Sequence, residues 1–136
     1  MSKILIIEDE ESIRRVLNKV LIQDDKSYSI TEAVDGLDGI SKINSSNYDL
    51  ILCDIKMPKK DGIEVLKHIL EECPNTPTIM ISGHGDLETA VESMRLGAFD
   101  YISKPPDLNR LLNSVRSALL NKNCVKKGKS KSRTSS

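Results

Sequence analysis

Tryptophan is absent from this 136-residue chain, phenylalanine occurs once and tyrosine three times, so a core has to be built from Ile, Leu and Val. The length suits one domain with such a core, and two would be crowded. No apolar run approaches the roughly 20 residues a membrane-spanning helix needs. The N-terminus also lacks a basic region, a long apolar stretch and a small-residue cleavage site, so a soluble cytoplasmic protein is expected. Cysteine is scarce: Cys53, Cys73 and Cys124 are odd in number and form no CxxC pair, which argues against a disulfide framework or a zinc site. Net charge is missing overall but not locally. Residues 1–120 hold 20 acidic against 14 basic residues, whereas 121–136 hold six basic residues and no acid.

What is present is an alternation of strands and helices. Lys3 opens a continuous apolar run, KILIIE, of the kind buried on both faces of a parallel sheet. A helix is expected from about Glu10, with Ile13, Val16, Leu17, Val20 and Leu21 at helical spacing. The pattern repeats with a strand at 28–33, a short helix carrying Gly39, Ile40 and Ile43, and a very apolar strand at 48–54. A third helix is expected from Gly62 to Glu72, punctuated by Pro74 and Pro77, and a fourth strand at 78–82. The fourth helix, Leu87 to Leu96, should end at Gly97 before a strand at 99–103. Asp107 is the expected N-cap of a last helix whose buried stripe is Leu108, Leu111, Leu112, Val115, Ala118 and Leu119. Five such pairs predict an α/β fold, a flavodoxin-like doubly wound parallel sheet of order 2-1-3-4-5 covered by five helices. From residue 121 the chain is rich in Lys and Ser, with too little apolar surface to order itself. The segment 121–136 therefore reads as a disordered basic tail or linker behind a domain at 1–120.

Four of the five expected strands stop at a particular polar residue: Glu8 and Asp9, Asp54, Ser82 and Lys104. In such a sheet ligands bind outside the carboxyl ends of the strands, so these groups should converge. Carboxylate oxygens suit Mg²⁺, held through one or two acids with waters and a substrate phosphate. Three acids close together repel, so one should hold its proton unusually well until a cation relieves it. A carboxylate beside such a cation can attack phosphorus, and Asp54, ending the most apolar strand before the turn marked by Pro58 and Gly62, is the best nucleophile. Singly, each of these residues has a bland reading as a helix cap, turn residue or surface lysine. Their joint placement is what points to phosphoryl chemistry.

With Glu8-Asp9, Asp54 followed by MPKKDG, Ser82 and Lys104-Pro105 in place, residues 3–120 resemble the receiver domain of two-component response regulators. The stretch from Ile81 to Leu112 looks most like N-terminal receivers of nitrogen-regulation-type transcriptional activators. The resemblance implies that Asp54 accepts a phosphoryl group from a sensor histidine kinase. It implies that Asp9 and Asp54 bind Mg²⁺ directly, with Mn²⁺ able to substitute, together with the backbone carbonyl of Lys56, and that Glu8 acts through water. Ser82 and Lys104 would engage the phosphoryl oxygens, Ser82 and Tyr101 would form the switch, and Pro105 would be a turn or cis-peptide position. It further implies an output surface, and a homodimer contact common in the family, on the fourth helix, fifth strand and fifth helix. Phosphorylation and dephosphorylation would be slow and self-catalysed. Direct nucleic-acid binding and membrane contact are not expected. Pro106 departs from the residue usual after Lys-Pro, and Lys56 and His84, two places past Asp54 and Ser82, fall where the family shapes access of hydrolytic water.

Rival readings are a phosphatase forming an aspartyl phosphate, a phosphate-cofactor binder and a receiver-like scaffold without chemistry. The first needs a second acid near the nucleophile and a cap, where Lys56 stands two residues past Asp54 and the length leaves no room. The second needs a glycine-rich loop where the acids Glu8 and Asp9 stand. The complete polar set argues against the third.

Overall fold

A computed structural model describes residues 2–55, 57, 61–83, 87–104 and 107–128, with the side chains of 121–128 left aside. The elements run β1 (Lys3–Ile7), α1 (Glu11–Asp24), β2 (Ser29–Ala33), α2 (Gly36–Ser45), β3 (Leu50–Asp54), α3 (Gly62–Glu72), β4 (Thr78–Ser82), α4 (Leu87–Leu96), β5 (Asp100–Ser103) and α5 (Leu108–Gly128). The strands form one parallel sheet of order β2-β1-β3-β4-β5. This is the expected flavodoxin-like topology, and its strand order reverses between β1 and β3.

The two faces follow from the period of two along a strand. Leu5, Ile7, Ile51, Cys53 and Met80 pack with Ile43 of α2 and Val65, Leu66 and Ile69 of α3. Their neighbours Ile4, Ile6, Leu50, Leu52, Ile79 and Ile81 face the other way, onto Leu17 and Leu21 of α1 and Leu111, Val115, Ala118 and Leu119 of α5. Every residue of β3 and β4 is buried, which explains their continuous apolar reading. Burying each Ile or Leu contributes about 1.5–3 kcal/mol, so this double layer supplies most of the driving force.

Local signals set the helix ends. Asp35 and Asp61 cap α2 and α3 by accepting the N–H groups of Asp38 and Glu64. Asp107 accepts those of Asn109 and Arg110, as expected for the start of α5. Gly97 adopts φ 129°, a left-handed backbone that favours glycine, where α4 turns into β5.

The helical stripes are narrower than the sequence pattern suggested. Leu108, at the first position of α5, and Val16 of α1 remain substantially exposed, and Leu112 is only partly buried. The helix residues buried against this face of the sheet are Leu17 and Leu21 of α1 and Leu111, Val115, Ala118 and Leu119 of α5. The backbone of α5 runs on to Gly128, so it carries helix through the first eight residues of the segment read as a tail; 129–136 lie outside the described residues.

Candidate functional site

The carboxyl ends of β1, β3, β4 and β5 open onto one rim. Pairing of Ile7 with Cys53 and of Asp54 with Ile81 brings the residues after β1, at the end of β3 and at the end of β4 side by side. Ligand oxygens of Glu8, Asp9 and Asp54 lie within 4.8 Å of one another. Asp9 is exposed, whereas Glu8 and Asp54 keep only 1% and 3% of their surface. Asp9 is not spent on capping: the N-cap of α1 is Glu10, which makes no side-chain cap.

Lys104, 16% exposed, reaches from beyond β5 into this acidic group. Its Nζ lies 3.1 Å from Glu8 Oε1, 3.3 Å from Asp54 Oδ1 and 3.7 Å from Glu10 Oε1. The contact with Glu8 Oε1 is ionic, since that buried oxygen has no hydrogen bond of good geometry. Glu8 Oε2 accepts the Glu10 N–H at 3.1 Å. The Lys104 N–H donates to the Ser82 carbonyl at 2.6 Å, which fixes the start of the loop after β5.

Electrostatics reflect crowding. Burial, and then the charge of Asp54, push the Glu8 carboxyl up to about 7, against the opposing pull of the Glu10 N–H and Lys104. Burial also raises Asp54, with Lys104 working the other way. For Lys104, burial favours the neutral amine, but the carboxylates of Asp54 and Glu8 outweigh it and the ammonium is held more firmly than usual. A divalent cation would suit this arrangement, because the donors are hard oxygens and burial leaves both Glu8 and Asp54 short of charge stabilisation even with Lys104 beside them.

Ser82 is fully buried, and its hydroxyl donates to the Gly83 carbonyl at 3.2 Å. Tyr101 is partly buried and packs against the core layer beneath α2 and α3. Thus Glu8, Asp9, Asp54 and Lys104 are in mutual reach, Ser82 ends the strand beside Asp54, and Tyr101 sits one strand further out. Lys56, Pro58, His84, Pro105 and Pro106 lie outside the described residues. Cys53 is buried, and burial raises its thiol pKa; among the described residues, the side chains that could together hold a metal are the three acids alone.

The sequence marked Gly62 only as part of a turn, and it did not single out Arg14 at all. Gly62 donates its N–H to the Ile55 carbonyl at 2.6 Å, and a Cβ there would stand 2.3 Å from the Asp54 carbonyl oxygen, so a side chain would displace the strand end that carries Asp54. Arg14 donates to the Glu8 carbonyl from α1. Its signal was a charged residue three and seven places before Leu17 and Leu21, on the buried stripe of α1.

A family model described as the response regulator receiver domain matches residues 4–116. The transcriptional regulatory protein DltR of Streptococcus agalactiae serotype III (strain NEM316) is 40% identical over 114 residues, covering 84% of this chain and 50% of that protein. Regulatory protein AtoC of Escherichia coli (strain K12) is 36% identical over 119 residues, 88% of this chain and 25% of that one. The chain therefore spans half the length of the first and a quarter of the second. Among solved structures, NtrX from Brucella abortus superposes with a TM-score of 0.84 at 33% identity, covering 93% of this chain and 28% of that one. A receiver domain protein from Clostridium thermocellum gives 0.84 at 31%, covering 92% and 99%.

Proposed function

This chain belongs to the response regulator receiver domain family, the signalling domains of two-component systems, and from that premise we propose that Asp54 is its phosphoryl acceptor. The observation that carries this reading is the placement of Lys104 between Glu8 and Asp54, with Asp9 beside them at the rim. Receiver domains bind Mg²⁺ at an acidic pocket of this kind. In this chain Asp9, Asp54 and the Lys56 carbonyl would hold it directly and Glu8 through water. The cation supplies charge neutralisation for the phosphoryl oxygens.

Asp54 Oδ attacks the phosphorus of a phosphohistidine on a sensor histidine kinase. As the O–P bond forms, the N–P bond breaks and its electron pair returns to the imidazole. Lys104, held as an ammonium by its carboxylate neighbours, turns toward the transferred group and balances charge that develops there. Ser82, at the end of the adjacent strand, would exchange its Gly83 contact for a phosphoryl oxygen. Tyr101 would follow inward, because a new dianion biases a bistable loop and side chain. Phosphorylation and hydrolysis are slow and self-catalysed in this reading, with Lys56 and His84 shaping water access.

The output surface is α4, β5 and α5, where Leu87, Val91 and Met94 stand exposed along α4. A homodimer or a target protein would meet it there. The output is transcription, supported by relatives named as transcriptional regulators. The basic segment 121–136 would serve as a connection and not as a nucleic-acid contact.

Incubation with Mg²⁺ and acetyl phosphate, followed by intact mass, tests the reading. Wild type should gain one acid-stable, base-labile phosphoryl group and Asp54→Ala none. A wild type left unmodified by both a small donor and a histidine kinase overturns it.

A further inference from the structure

Arg14 is a cation placed where α1 should be apolar, and only 12% of its side chain is exposed. Its Nη1 donates to the Glu8 carbonyl at 2.8 Å, and its Nε donates to Glu32 Oε1 at 3.2 Å. The other oxygen of Glu32 accepts from Asn18 Nδ2 at 2.7 Å, so both carboxylate oxygens of this β2 residue are tied to α1. The Glu8 N–H, in turn, donates to the Ala33 carbonyl at 3.1 Å, next to Glu32 on the same strand.

The peptide that joins Glu8 to Asp9 is the one whose carbonyl Arg14 grips. Rotating it would swing the Asp9 carboxylate relative to Glu8 and Asp54. A strand-end carbonyl has no ladder partner and would ordinarily turn to water. Here it is held by a planar guanidinium whose second donor is anchored on a different strand, a two-point hold that a lysine ammonium cannot reproduce. Burying that charge is tolerated because Glu32 neutralises it at hydrogen-bond distance. Packing alone would be met by an apolar residue in line with Leu17 and Leu21.

We propose that Arg14, braced by Glu32 and Asn18, is a positioning residue that fixes the Glu8–Asp9 peptide and thereby sets the affinity of the acidic site for a divalent cation. The inference rests on the metal-assisted acceptor reading given above. Residues that orient metal ligands from behind change affinity by about 10–100-fold when removed. One carbonyl contact, made by a side chain one step removed from the ligand atoms, should lie at or just below the lower end of that range.

The test is an Mg²⁺ titration of the unphosphorylated protein followed by amide chemical shifts, with acetyl phosphate labelling measured across the same Mg²⁺ range. Arg14→Met keeps the side-chain stem and removes the fork. It should raise the Mg²⁺ midpoint by about fivefold to tenfold, with the loss of labelling appearing in the Mg²⁺ requirement and not in the rate at saturation. Glu32→Gln keeps the shape, weakens the brace and should raise the midpoint by about twofold to threefold. A lower melting temperature with an unchanged midpoint would make Arg14 a packing residue only, overturning the inference while leaving the acceptor reading intact. If Arg14→Met does not fold, the Glu32→Gln midpoint decides, and an unchanged value overturns the brace. A wild type with no saturable Mg²⁺ response overturns both.

Discussion

Lys104 holds two buried carboxylates together, and that is its cost as well as its use. Removing one member of a buried pair costs about 3–5 kcal/mol when the survivor stays charged, and less where it can take a proton. Because Glu8 already holds its proton up to about 7, Lys104→Met should lose about 1–3 kcal/mol in chelator at neutral pH. Mg²⁺ should then restore more stability to the variant than it adds to wild type, and urea unfolding with and without Mg²⁺ reads this directly. An Mg²⁺ effect no larger than in wild type would contradict the account. A second residue-scale prediction concerns Asp100. Its Oδ1 and Oδ2 accept from both terminal nitrogens of Arg110, Oδ2 accepts from Ser114, and Oδ1 also takes the Tyr101 N–H. The Arg110 hydrogen bonds, above all, hold its carboxyl down to about 2 from an ordinary 3.8. A lowered folded pKa means stability that is present above about 4 and lost as pH falls through about 2. Arg110→Gln has less of this contribution to lose. Its melting temperature should therefore fall less steeply than that of wild type between those pH values, with parallel curves as the contrary outcome.

Elements are joined at this rim by close backbone approaches, and two glycines separate a rigid contact from a yielding one. At Gly62, where α3 begins, a Cβ would meet the Asp54 carbonyl oxygen at 2.3 Å and the Ile55 Cα at 2.6 Å, both main-chain atoms. At Gly39 of α2 the nearest atom is Ile7 Cδ1 at 2.6 Å, the far end of a flexible side chain. Gly62→Ala should cost more than about 2 kcal/mol and slow acceptance of a phosphoryl group at Asp54. Gly39→Ala should cost about 1 kcal/mol and leave acceptance nearly unaltered, because overpacking against a side chain is relieved by a rotamer change. Equal unfolding midpoints for the two variants would refute this ranking. At the same scale, β3 and β4 were readable as unbroken apolar runs, whereas the exposure of Val16 and Leu108 depended on which helix residues the packed sheet covers.

For the whole molecule, the acidic rim couples local charge to global stability. A ligand that binds only the folded state stabilises it by RT ln(1 + [L]/Kd), so Mg²⁺ at ten times its dissociation constant adds about 1.4 kcal/mol. In a domain of this size that is about 3–6 °C in melting temperature. Asp9→Asn and Asp54→Asn should each erase most of that increment, while chelator should bring wild type down to its metal-free value. An increment that survives in both variants would place the cation elsewhere on the surface.

The alternation of apolar runs and amphipathic stretches by itself determined five strand and helix pairs, and hence a parallel sheet with its ligand side at the strand ends. Glu8, Asp9, Asp54, Ser82 and Lys104 were legible because each closes a run, and chain direction alone brings the ends of parallel strands to one side. The tertiary structure decided what spacing cannot encode. It decided which acids are buried and which exposed, that one ammonium bridges Glu8 and Asp54, and that Gly62 must lack a side chain because the backbone at the end of β3 lies against it. It also turned Arg14 from a charge on a helix into a contact with the Glu8 carbonyl. The physical reason is range. Periodicity and capping act between residues a few places apart, whereas desolvation, charge pairing and close backbone approach depend on distances between segments that only the packed sheet brings together.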